Sequence, residues 1–134
     1  MKVLLDTHII LWALAGDEKL PQKAKMIISQ KDNEIYYSTA SIWEIMIKHM
    51  NHPEHMPISG RQMSNYCRKA KYHMLPVLDE HVYALEGLQR MENASRHKDP
   101  LDCIMIAQTK AEKMIFVTHD SLLPDYMEEC IVFV

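Results

Sequence analysis

The sequence predicts an α/β protein: a three-layer α/β/α sandwich around a four- or five-stranded, mostly parallel sheet. Three observations predict it. Short apolar runs alternate along the chain with longer helical stretches, the pattern of strands joined by crossover helices. Runs such as Val3-Leu4-Leu5 and Ile115-Phe116-Val117 show no polar face, as expected of strands covered on both sides. The length of 134 residues, 48% hydrophobic and 25% charged, suits one compact domain of ordinary globular composition. That balance excludes a disordered tail, a collagen-like repeat and a disulfide mini-scaffold.

Val3 to Leu5 reads as a buried strand, and Ile9 to Ala15 as a short helix stopped near Gly16. Pro21 suits the first residue of a second helix, to about Gln30. Ile35 to Tyr37 is a strand, and Ser38 to Met50 a helix with Ile42, Trp43, Ile45, Met46 and Ile47 as its apolar content. The two prolines between His49 and Pro57 break the pattern. Ser59 to Lys71 is amphipathic, with Met63, Tyr66, Cys67 and Ala70 on one face. Met74 to Leu78 forms a short strand, and Asp79 caps a helix to about Met91. Asp99-Pro100 opens a helix to about Lys113, packed through Ile104, Met105, Ile106 and Ala107. Ile115 to Val117 and Ile131 to Val134 complete the sheet.

The first apolar run is cut by Asp6, too soon for a signal peptide. No run of about 18 apolar residues predicts a membrane span. Cys67, Cys103 and Cys130 are odd in number and form no C-x-x-C, so free thiols in a reducing cytoplasm are expected. The 11 methionines fall mostly in apolar positions, such as Met46, Met105 and Met114, and read as core filling. Fifteen basic and 18 acidic residues give a formal charge of -3, which argues against a general nucleic-acid coat protein.

The acids are not scattered. In an open parallel sheet, ligands bind outside the carboxyl ends of the strands, where the helix N-termini also lie. Asp6 ends the first strand, and Asp120 follows the strand 115–117. Asp99 and Asp102 begin the helix leading into that strand, i,i+3 on one face. Glu44 lies within two turns of the start of its helix. Each alone has a structural reading as a helix cap, a dipole partner or a solvated charge. Together they would repel one another unless a cation intervened. Oxygen ligands without a Cys or His cluster favour Mg²⁺ or Mn²⁺ over zinc. Such an ion commonly serves phosphate chemistry.

Four motifs carry a family resemblance: Leu5-Asp6-Thr7-His8; Ser41-Ile42-Trp43-Glu44-Ile45; His97-Lys98-Asp99-Pro100-Leu101-Asp102 with Ile106-Ala107-Gln108; and Val117-Thr118-His119-Asp120. In this order they resemble a PIN domain, and more narrowly the VapC-type toxins of toxin–antitoxin systems. The resemblance covers nearly the whole chain. It implies a PIN-like fold and a Mg²⁺- or Mn²⁺-dependent endoribonuclease, often a homodimer, held inactive by a cognate antitoxin. It places metal binding and catalysis on Asp6, Glu44, Asp102 and Asp120. Asp6 and Asp102 would be direct ligands, and Asp120 would bind a second metal or hold a water. Asp99, before Pro100, fits a helix cap as well as a ligand. Thr7, Ser38 and Thr118 would bond the carboxylates or the substrate phosphate, with core hydrogen bonding an equal alternative. Cys103 departs from the pattern, which often has Arg there, so any role of that Arg falls to other residues. The implied chemistry is metal-activated hydrolysis of an RNA phosphodiester.

Lys48, one turn beyond Glu44, and Arg96 and Lys98, before Asp99, are positioned to meet an RNA backbone. His49, His52 and His55 surround Pro53 and read as an exposed loop, with adventitious zinc or nickel binding the alternative. Trp12, Trp43 and the tyrosines read as core or interface anchors rather than base-stacking platforms. An aspartyl-phosphate receiver or phosphatase fits poorly, because Asp6 is followed by Thr7 and His8 rather than further acids. The reading from another class is a catalytically silent PIN-like module acting through a protein partner.

Overall fold

The computed structural model describes residues 1–89, 99–126 and 128–134. Five parallel strands form one sheet: β1 (Lys2–Leu5), β2 (Glu34–Ser38), β3 (His73–Leu75), β4 (Ile115–Thr118) and β5 (Ile131–Phe133). Their order is β3-β2-β1-β4-β5. The central strand β1 pairs Leu4 with Tyr36 of β2 and with Phe116 of β4. Val3, Leu4 and Leu5 are fully buried. Their alternation splits the core into two layers. Val3 and Leu5 pack with Ile9, Ile10, Ile35, Tyr37, Ile45 and Met63 on one face. Leu4 packs with Met105, Ile106, Met114 and Phe116 on the other.

The helices are α1 (Thr7–Ala15), α2 (Gln22–Ser29), α3 (Thr39–Asn51), α4 (Gly60–Lys69), α5 (Asp79–Tyr83) and α6 (Pro100–Glu112), with 3₁₀ turns at Ala84–Gly87 and Leu123–Asp125. Helix α1 starts on Asp6 and ends at Gly16, which takes the left-handed conformation (φ 62°) that glycine adopts without strain. Helix α6 starts on Asp99 with Pro100 in its first turn. Helix α4 begins with a reciprocal capping box between Ser59 and Gln62. Gly60 lets α4 approach α3: a Cβ there would sit 2.7 Å from the Ile42 carbonyl oxygen.

Several expectations change in detail. Pro21 precedes α2 rather than opening it. Leu78, not Asp79, stands at the N-cap of α5, and its N–H donates to Nδ1 of the buried His81 (2.9 Å). Asp79, one residue further on, accepts the Glu80 N–H at 2.9 Å. The helix ends at Tyr83 and tightens into the 3₁₀ turn at Gly87; its expected end near Met91 lies outside the described residues. Of the apolar face expected in α3, Ile45 is buried, whereas Trp43 is 62% exposed and Met46 and Ile47 are half-exposed. Only one side of α3 meets the sheet. His49 lies on α3 and its Nδ1 contacts the Met56 carbonyl at 2.8 Å, while His52 and His55 are exposed. Among the described residues no helix is long and apolar enough to cross a membrane.

Candidate active site

The carboxyl ends of β1 and β4 and the N-terminal turns of α1, α3 and α6 meet at one edge of the sheet. A cleft of about 360 Å³ opens there, lined by Asp6, Glu44, Asp99, Asp102 and Asp120 together with Lys48, His8, Trp12 and His119. Thus five carboxylates from separate parts of the chain share one opening.

The two buried acids show the strain of that arrangement. Asp6 ends β1, and both of its oxygens are engaged. Oδ1 accepts the Thr7 N–H at 2.8 Å and Oδ2 accepts the Thr118 hydroxyl at 2.7 Å. Burial nevertheless raises its pKa, the two hydrogen bonds lower it, and Glu44 raises it further. Asp102, in the first turn of α6, is also buried. Burial first, and then repulsion from Asp6, Asp99, Glu44 and Asp120, push it up to about 8.

The other acids are held by short local bonds. Asp99 Oδ1 accepts the Leu101 N–H at 3.0 Å, so this residue caps α6 and lines the cleft at once. Asp120 Oδ1 accepts the Leu122 N–H at 2.9 Å, and its own N–H donates to Thr118 Oγ1 at 3.0 Å. Glu44 Oε2 pairs with Lys48 Nζ at 2.8 Å, one turn along α3. Its Oε1 accepts the Thr7 hydroxyl at 2.9 Å. Thr7 has a single hydroxyl proton, so Ser41 is the donor in its 2.8 Å contact with Thr7.

All-oxygen donors in which burial, and then mutual repulsion, raises the Asp102 pKa suit a hard divalent cation, which would relieve the repulsion. Among the described residues, no three His, Cys, Asp or Glu side chains stand close enough to hold such an ion as placed. A Mg²⁺ ion needs only one or two of these carboxylates, because it keeps several waters in its coordination shell.

Of the three hydroxyls singled out in the sequence, Thr7 and Thr118 bond cleft carboxylates. Ser38 does not. It is fully buried, donates to Gln108 Oε1 at 2.6 Å and caps α3 through the Ala40 N–H. Gln108 in turn donates to the Leu75 and Pro76 carbonyls at 3.3 and 3.2 Å, tying α6 to the end of β3. Lys48 lines the cleft; Arg96 and Lys98 lie outside the described residues. Cys103 contacts the Tyr126 hydroxyl at 3.0 Å and does not line the cleft. Sequence reasoning passed over Ser41, three residues before Glu44 and so on the same helix face. It also passed over His8 and His119, each beside a threonine that bonds a carboxylate. Trp12, expected as an anchor, is half-buried in the cleft wall.

The PIN domain family model matches residues 3–128. The chain belongs to the PIN domain family. Solved structures agree with the fold of this PIN domain. A chain of VapBC2 from Rickettsia felis, crystallised with a DNA fragment from its promoter, superposes with a TM-score of 0.65 at 12% identity, covering 100% of this chain and 98% of that one. A chain of a toxin–antitoxin complex from Klebsiella pneumoniae gives a TM-score of 0.59 at 16% identity, covering 97% and 95%. No curated protein matches the sequence significantly.

Proposed function

We propose that this PIN domain is a Mg²⁺- or Mn²⁺-dependent endoribonuclease that hydrolyses RNA phosphodiester bonds, acting in the cytoplasm as the toxin of a toxin–antitoxin pair. One observation carries the reading: five carboxylates share a cleft, and their repulsion, added to burial, holds Asp102 near 8. A fold gains no stability from such crowding, so a cation-dependent task explains it better. Asp6 and Asp102 would hold the ion, with Asp120 and Glu44 completing the set and Asp99 contributing beyond its cap. When bound, the cation would supply charge neutralisation at the phosphate and a lower pKa for water. The chain's own groups do the rest. Thr118 and the Thr7 N–H fix the Asp6 carboxylate, Ser41 and Thr7 fix Glu44, and Glu44 or Asp120 would orient the attacking water. Lys48 would meet a neighbouring phosphate, with Arg96 and Lys98 assigned to the backbone on sequence position alone.

The structural neighbours come from toxin–antitoxin complexes, which supports a cognate antitoxin. An apolar groove beside the cleft, lined by Trp43, Ile47, Val77, Val82, Leu101 and Ile104, also supports a protein partner. We further propose a homodimer. No disulfide links Cys67, Cys103 or Cys130 to another described residue.

The Lys48–Glu44 ion pair and the lack of a ready ligating trio among the described residues favour a second reading, a catalytically silent module acting through its partner. Incubating the purified protein with mixed RNAs in Mg²⁺, Mn²⁺ or EDTA separates the two. Metal-dependent cuts that disappear in well-folded Asp6→Asn and Asp102→Asn proteins support the nuclease. Cuts that persist in either variant, or none on any RNA, reject it.

A further inference from the structure

The cleft has two unlike walls. In strand order, Glu44 and Lys48 follow β2, His119 follows β4, and Asp6 stands between them at the end of β1. The wall beyond β4 is aromatic. His8 and Trp12 lie one turn apart on α1, with ring centroids 5.9 Å apart. Trp12 meets His119 edge-on at 5.7 Å and 68°. His119 stacks on Phe133 at 5.5 Å and 8°, and its Nδ1 bonds the Val134 carbonyl. The His119 ring is thus held from behind by the end of β5. Trp12 is half-buried and His8 and His119 are exposed, all facing the same opening as the acids.

An acidic cleft repels phosphate, so a nucleic acid needs a neutral source of affinity there. Aromatic faces supply one, because every base has a π-face to stack on them. Resting on the phosphodiester reading above, we propose that Trp12 and His119 form an aromatic platform on which the nucleobase beside the scissile phosphate stacks on one ring and meets the other edge-on. The base at that position then helps decide where this chain cuts, purines being favoured over pyrimidines by their larger face.

The test uses mononucleotides. Trp43→Phe removes an exposed tryptophan outside this cleft and leaves Trp12 as the sole tryptophan emitter. In Mg²⁺, adenosine monophosphate should quench Trp12 emission saturably, cytidine monophosphate more weakly, and ribose 5-phosphate not at all. His119→Ala, in protein that still melts cooperatively without its contacts to Trp12, Phe133 and Val134, should weaken adenosine monophosphate binding by roughly 5-fold or more. Quenching by all three ligands alike or by none, or unchanged affinity in His119→Ala, would overturn the platform. None of these ligands carries a phosphodiester. Base-selective quenching without RNA cleavage would therefore reject the nuclease and keep the platform, and cleavage without base-selective quenching would do the reverse.

Discussion

Two buried polar networks sit at the same edge of the sheet and behave in opposite ways. Ser38 and Gln108 are fully buried, neutral and mutually satisfied: the hydroxyl meets the amide oxygen, and the amide nitrogen meets two backbone carbonyls. Asp6 and Asp102 are also buried, yet burial raises the pKa of both, and Asp6 adds to the rise at Asp102. The first network closes a gap between α6 and β3 at little electrostatic cost. The second gathers repulsion that a proton or a cation relieves. Burial of a polar residue therefore does not mark function here; several carboxylates crowded into one cleft do.

Substitutions should separate the two networks. The largest effect is expected at the acids: Asp6→Asn or Asp102→Asn should lower metal-dependent RNA cleavage by about 1000-fold or more, since each removes a proposed direct ligand. Asp102→Asn should at the same time stabilise the metal-free protein at pH 8.5 by roughly 1–3 kcal/mol, read by urea unfolding. Loss of both activity and stability would erase the contrast. Gln108→Leu should do the opposite, costing about 1–3 kcal/mol by leaving the Ser38 hydroxyl without its acceptor and removing the amide bonds to the Leu75 and Pro76 carbonyls, while leaving Mg²⁺ affinity near its starting value.

The pH profile sharpens the difference. Asp102 has a folded pKa of about 8 against 3.8 for the free group. The folded state thus holds this proton more tightly than the unfolded chain. Its contribution is complete below about pH 4, declines as pH rises and is gone above about pH 8. Metal-free protein should lose stability across that window, and Mg²⁺ should offset the loss at the alkaline end. Gln108→Leu should shift the whole curve down without changing its slope. A flat profile in the metal-free wild type would remove the basis for treating the acids as strained. The smallest effect is expected at Ser41→Ala, about 1 kcal/mol or less in stability with a several-fold loss of cleavage, because it acts only by orienting Thr7 and Glu44.

The sheet and its acids were legible because each rests on local pattern. Val3-Leu4-Leu5 has no polar face, and an acid directly after such a run must lie at the carboxyl edge. What stayed hidden depends on side chains meeting across long separations. Ser38 looked equivalent to Thr7 and Thr118, each a hydroxyl at a strand end. Its partner Gln108 is 70 residues away, and no periodicity announces that pairing. Trp12 read as an anchor because a tryptophan on an apolar helix usually is one; its neighbours His8 and His119 come together only when β1 and β4 pair. Leu78 could not be read as a cap, because the group that satisfies its N–H is an imidazole three residues later.

The central claim is that a divalent cation belongs at Asp102. At pH 7 this carboxyl, with a pKa of about 8, is mostly protonated before the cation arrives. Titration calorimetry of Mn²⁺ at pH 7, in buffers of different ionisation enthalpy, counts the protons displaced. The account predicts release approaching one proton per bound ion, with both the release and the tight binding lost in Asp102→Asn. Binding without proton release, and of equal strength in Asp102→Asn, would contradict it.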